Sequence, residues 1–143
     1  MAGFELSTTI KRPIEDVFAF ISNVCVGVEI IDEIIACEKL TEGPIGLNTR
    51  FLETRLVNGN EAQAELEIMA YEPPHKVTVG GEMDGVESLY HYTLTQDSDS
   101  TLLHWEADIR AQGLRRLVLP ILVGFLKTED AKHLEKVKQA LEK

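Results

Sequence analysis

A change of hydrophobic period near Gly113 constrains this chain more than any other feature. Before it, apolar residues recur every second position. Ala62, Ala64, Leu66, Ile68 and Ala70 alternate with Glu61, Gln63, Glu65 and Glu67. Leu103, Trp105, Ala107 and Ile109 alternate with His104, Glu106 and Asp108. Period two is the mark of a half-buried strand. After Gly113 the spacing lengthens, and Leu114, Leu117, Ile121, Leu134, Val137 and Leu141 fit one long helix. Pro120 lies inside that pattern and implies a kink or a late start. A sheet with one apolar and one charged face needs a cover on the apolar side, and this helix is the obvious one.

The earlier segments fit the same plan. Phe4, Leu6, Thr8 and Ile10 share one face of a first strand. Pro13 suits a first helical position, with Glu15 and Asp16 in the first turn to complement the helix dipole. Ile14, Val17, Phe18 and Ile21 then form one apolar helical face. A second short helix is expected around Val24 to Ile31. Strands follow over Ile34–Leu40 and Thr49–Val57, and Asn58-Gly59 signals a hairpin into Glu61–Tyr71. Glu72-Pro73-Pro74 breaks that strand. Val77 and Val79 mark the next, expected to end at Gly80-Gly81, and Val86–Thr95 and Thr101–Arg110 complete the series. Short turns between consecutive strands imply an antiparallel meander, hence an α+β chain.

The chain of 143 residues fits a single domain, 1–143, with no repeat and no linker. Its 24 acidic and 14 basic residues leave a net charge of −10, which argues against a nucleic-acid binder. Cys25 and Cys37 are the only cysteines, and two make neither a disulfide framework nor a zinc cluster. They are expected as free, buried thiols. No signal peptide is visible, so the expected location is cytoplasmic. The longest uncharged apolar run, Leu117 to Leu126, is ten residues. A bilayer span takes about 20 residues, so no stable membrane insertion is expected.

Ordered local motifs resemble the START/polyketide-cyclase superfamily (SRPBCC), in its polyketide cyclase/dehydrase and lipid transport branch. They are Thr8-Thr9-Ile10-Lys11-Arg12-Pro13-Ile14-Glu15-Asp16-Val17-Phe18-Ala19-Phe20-Ile21, then Gly43-Pro44-Ile45-Gly46-Leu47-Asn48-Thr49-Arg50-Phe51. Tyr71-Glu72-Pro73-Pro74-His75-Lys76-Val77, Tyr90-His91-Tyr92 and Thr101-Leu102-Leu103 follow. The resemblance implies a helix-grip fold: a curved antiparallel sheet of six to seven strands around a long C-terminal helix, with two short helices after the first strand. It also implies a cavity between sheet and helix. One departure concerns the cavity mouth, because the Trp and Pro that relatives carry after the first helix are missing from Ser22 to Ile35.

Ligand pockets are mostly apolar with a few placed polar groups. The expected ligand contacts are Phe51, Glu53, Arg55, Leu66, Ile68, Tyr90, Tyr92, Trp105, Leu122 and Phe125. Small Ala62, Ala64 and Ala107 either leave volume on the gripped face or admit bulky neighbours such as Trp105. Tyr90 and Tyr92 each offer a hydroxyl to a ligand carbonyl or to a backbone carbonyl. Glu53 and Arg55 face inward if Phe51 does, and outward if Leu52 and Leu56 are the buried set. The rarity of buried charge favours the outward reading. The four histidines show no metal-ligand spacing and read as solvated, so no metal and no cofactor is expected.

Leu117 to Leu126 is apolar all round, unlike a helix packed on one side. It is wrapped on both sides within the chain, or forms a homodimer contact, or touches a membrane transiently. Wrapping needs nothing beyond the fold and is the expectation. The functional reading is binding or transport of a hydrophobic or amphipathic small molecule, such as a lipid, quinone or polyketide-like compound. Its rivals are a cyclase or dehydratase acting on an aromatic polyketide-like substrate, and an accessory docking module.

Overall fold

The computed structural model describes residues 2–83 and 85–143. Seven strands form one antiparallel sheet: β1 (Ala2–Ile10), β2 (Ile34–Lys39), β3 (Arg50–Val57), β4 (Asn60–Glu72), β5 (Lys76–Met83), β6 (Val86–Asp97) and β7 (Ser100–Ala111). Their spatial order is β1-β7-β6-β5-β4-β3-β2. β2 to β7 is a meander, and β1 joins it by pairing with β7. Two short helices, α1 (Ile14–Ser22) and α2 (Gly27–Ile30), connect the two edge strands, with a 3-10 turn at Val24–Val26 between them. The long helix is α3 (Leu119–Leu141), preceded by a 3-10 segment at Gly113–Val118. Pro120 sits in the first turn of α3, so the proline sets a late start and not a kink.

Cross-strand register builds the concave face in rows. Tyr71, Val77, Tyr92, Trp105 and Leu6 form one row, and Ile68, Val79, Tyr90, Ala107 and Phe4 form the next. The main core gathers Ile10, Ile14, Val17, Phe18, Phe51, Ile68, Val77, Leu94, Leu103, Trp105, Leu134 and Leu141. A second cluster of Phe4, Ala107 and Ile109 lies under the first half of α3. The ends of α1 and α3 are tied to the sheet by polar contacts. Gln96 Oε1 accepts the Ile14 N–H at 2.9 Å, satisfying a donor left over at the start of α1. Arg12 Nη1 donates to the Leu141 carbonyl at 2.9 Å and caps the end of α3.

Two local expectations change. β5 runs through Gly80 and Gly81 instead of ending there. A Cβ at Gly80 would meet the Met69 sulfur, and one at Gly81 would meet Leu66, so these glycines mark close approach within the sheet. Met69 is the residue at which the β4–β5 register shifts. Cys25 and Cys37 are bonded as a disulfide, with Cα atoms 5.2 Å apart, and are not free thiols. The pairing arises because β2 carries Cys37 beside the 3-10 turn that holds Cys25. The bond fastens that turn to an edge strand of the sheet.

Candidate functional site

β3 decides the inner wall. Its register places Phe51 opposite Leu66, Glu53 opposite Ala64 and Arg55 opposite Ala62. Phe51 is buried in the main core, so Glu53 and Arg55 share the concave side. The outward reading of these two charges is therefore wrong. Small alanines on β4 leave room for the two long side chains, and the charges meet each other's need for a partner. Arg55 Nε donates to Glu53 Oε1 at 2.6 Å, with side-chain exposures of 33% and 7%. Burial alone would lower the Arg55 pKa, but the Glu53 charge and hydrogen bond reverse this and the net shift is upward.

β6 and β7 supply the aromatic floor. Tyr90 and Tyr92 flank Trp105, with ring centroids 5.5 and 5.3 Å from it. Ala107 pairs with Tyr90 across the strands. Its small side chain makes space for rings, as the bulky-neighbour reading expects. Burial pushes both phenol pKa values well above the ordinary range, and the Asp130 carboxylate raises them further. Arg55 opposes that shift at both rings.

α3 supplies two residues absent from the expected site. Asp130 and His133 are buried, and His133 Nδ1 lies 3.5 Å from Asp130 Oδ1. The solvated reading of His133 fails because 130, 133, 134, 137 and 141 fall on one helical face, the face that carries Leu134 and Leu141 inward. That phase was visible in the sequence, but the Lys and Glu residues around His133 masked it. Asp130 Oδ2 and Trp105 Nε1 are both buried with no hydrogen-bond partner. The inner side of sheet and helix thus carries two carboxylates, a guanidinium, an imidazole and two phenols that flank one indole. It presents an acceptor and a donor that no protein group uses.

The other expected contacts divide. Leu66 is half-buried against the main core and Ile68 is fully inside it. Leu122 belongs to the second cluster, on Phe4 and Ile109. Phe125 is 59% exposed and lies outside the cluster that Leu122 and Leu126 join, beyond the edge of the packed face of α3. Two open clefts lie outside the grip and contain none of the ten expected contacts. One, of about 480 Å³, is lined by Phe18, Ala19, Ile45, Tyr71 and Pro73. The other, of about 640 Å³, lies on the convex face around Arg50, Gly80, Asp108 and Arg110. Glu5, His104 and Glu106 also meet on the convex face, with ligating atoms within 4.8 Å of one another. Spacing along the chain could not reveal this group, since β1–β7 pairing assembles it.

A seven-stranded antiparallel sheet packed against a long C-terminal helix, with two short helices after the first strand, defines a helix-grip protein. A family model described as polyketide cyclase / dehydrase and lipid transport matches residues 1–142, and the chain belongs to that family. No curated protein sequence matches the chain. Among solved structures it is similar to Ara h 8.0201, with a TM-score of 0.80 and 16% identity over 98% of this chain and 97% of that one. It is similar to the Zhui aromatase/cyclase from Streptomyces sp. R1128, with a TM-score of 0.79 and 14% identity over 99% and 93%. A START superfamily protein from Mycobacterium smegmatis gives a TM-score of 0.78 and 14% identity over 98% and 97%. At these identities the likeness speaks for the fold.

Proposed function

We propose that the chain is one ligand-binding domain, 1–143, that takes up a small molecule with an apolar, ring-like body and both hydroxyl and carbonyl groups at its edge. The carrying observation is that, of three buried side-chain polar atoms without a partner among the described residues, two belong to the inner side, the Trp105 indole N–H and Asp130 Oδ2, while the third, Asp108 Oδ1, is on the convex face. Leaving such groups unpaired is costly, and a ligand carbonyl and hydroxyl would satisfy them. Tyr90, Tyr92, Leu66 and the Arg55 stem supply apolar surface at about 25 cal/mol per Å² buried. Family membership supports the same reading, in which the ligand is a lipid, quinone or polyketide-like compound.

One observation favours catalysis as a second reading. Asp130, paired with His133 on the helix, lies near enough for its charge to act on Arg55 and on the two tyrosines of the sheet. Such an arrangement can fold a polycarbonyl substrate, polarise one carbonyl and move a proton nearby. A cyclase or dehydratase would use these groups. Trp105 is the only tryptophan, so titration with 1,2-dihydroxyanthraquinone reads the site directly. Saturable quenching that weakens at least about tenfold in Asp130→Asn is expected, from loss of one charged hydrogen bond. Unchanged affinity in that variant would remove Asp130 from the site. No quenching by any ring compound of this class would remove the reading.

A further inference from the structure

The two sides of the segment 113–126, the 3-10 turn and the start of α3, have different fates. Leu119, Leu122, Val123 and Leu126 pack onto Phe4, Ala107 and Ile109 beneath them. Leu114, Leu117, Val118, Ile121 and Phe125 face away and are between 53% and 85% exposed. The expectation that this run is wrapped on both sides is therefore overturned. Positions 114, 117, 118, 121 and 125 follow a helical repeat, so the five side chains form one stripe. An exposed apolar patch of this kind marks an interaction surface.

Charge indicates what covers it. Between Ala111 and Thr128 the sequence holds Arg115, Arg116 and Lys127 and no acidic residue, in a chain of net charge −10. Arg116 and Lys127 are exposed at the borders of the stripe. A second copy packed about a two-fold axis would set this positive border against itself. A bilayer containing anionic lipid accepts the apolar side chains below its headgroups and the cationic border among them. We propose that Leu114, Leu117, Val118, Ile121 and Phe125 form a docking surface for an anionic lipid membrane. The attachment is peripheral, because no helix among the described residues is long and apolar enough to cross a membrane.

The test is co-sedimentation with vesicles of equal parts phosphatidylglycerol and phosphatidylcholine, beside vesicles of phosphatidylcholine alone. The protein is expected to sediment with the acidic vesicles, less so as salt rises, and poorly with the neutral ones. The Leu117→Ser, Ile121→Ser, Phe125→Ser triple variant is expected to reduce binding at least about tenfold, from the apolar area removed. These side chains contact solvent, so its far-ultraviolet spectrum and melting temperature should stay as they were. Arg116→Glu with Lys127→Glu is expected to abolish the preference for acidic vesicles while the apolar stripe remains. Absence of wild-type binding to acidic vesicles overturns the proposal, as does undiminished binding by the triple variant. A wild-type dimer that the triple variant converts to monomer, with no vesicle binding, assigns the stripe to contact between copies. Retained anthraquinone quenching in the triple variant separates this surface from the ligand site.

Discussion

Glu53 and Arg55 hold each other in a place where neither charge would be stable alone. Glu53 is the more enclosed of the two, so removing its partner is the sharper test. Arg55→Met should lower stability by about 2–3 kcal/mol at neutral pH, by leaving a buried carboxylate uncompensated. Urea denaturation measures this, and an unchanged midpoint would contradict the inward placement. The two tyrosines of the inner face, half-buried beside Trp105, carry a pH signature. Their folded pKa values lie above the unfolded value near 10, so stability is complete below that pH. Above it the unfolded chain gives up phenol protons that the folded chain retains, and stability falls as pH rises. Phenolate absorbance near pH 10 should therefore lack Tyr90 and Tyr92. Asp130→Asn should move their ionisation to lower pH, since its charge contributes to both shifts.

At the scale of elements, long-range polar contacts and a disulfide fasten the helices to both edges of the sheet. Arg12, after the end of β1, reaches both Asp16 on α1 and the last carbonyl of α3. Arg12→Ala should cost about 1–2 kcal/mol, most of it from the lost carbonyl cap, because the Asp16 pair is exposed. Cys25–Cys37 closes a short loop, with a sequence separation of 12. Cross-links of that span stabilise by about 3 kcal/mol in the chain-entropy account. Reduction, or Cys37→Ser, should lower the melting temperature accordingly. Alkylation with and without reductant counts the thiols. α3 packs chiefly on β1. That position leaves Arg55, Tyr90, Tyr92 and Leu66 only half-covered.

At the scale of the molecule, the sheet's two faces perform different tasks. The concave face carries the core and the inward polar groups. The convex face carries Arg50, Glu65, Glu67, Glu82 and Glu87, which account for part of the net charge of −10. A ligand bound only by the folded state stabilises it by about 2.7 kcal/mol at a hundred times its dissociation constant. For a chain of this size that corresponds to roughly 5–10 °C in melting temperature. Saturating 1,2-dihydroxyanthraquinone should produce such a rise in the wild type and a smaller one in Tyr92→Phe, if that hydroxyl orients the ligand. Equal shifts in both would assign Tyr92 to packing alone.

Much of the fold was legible because its signals are local. Alternation along Glu61–Tyr71 and Thr101–Arg110, the Asn58-Gly59 hairpin, Pro13 at the entrance to α1 and the period change at Gly113 each report a backbone preference within a few residues. Tyr90, Tyr92 and Trp105 could be placed on one face for the same reason. Other features depended on partners far along the chain. Glu53 and Arg55 turn inward because Ala64 and Ala62 face them across β4. Cys25 meets Cys37 because a turn lies against an edge strand. Asp130 and His133 are enclosed because α3 turns that face inward with Leu134 and Leu141, and Phe125 leaves the site because it lies beyond the edge of the packed face of the helix. Periodicity by itself determined which segments are strands and helices. The tertiary structure alone decided which charges are buried and which apolar side chains are exposed, because burial belongs to pairs of surfaces and not to a residue's place in its own segment.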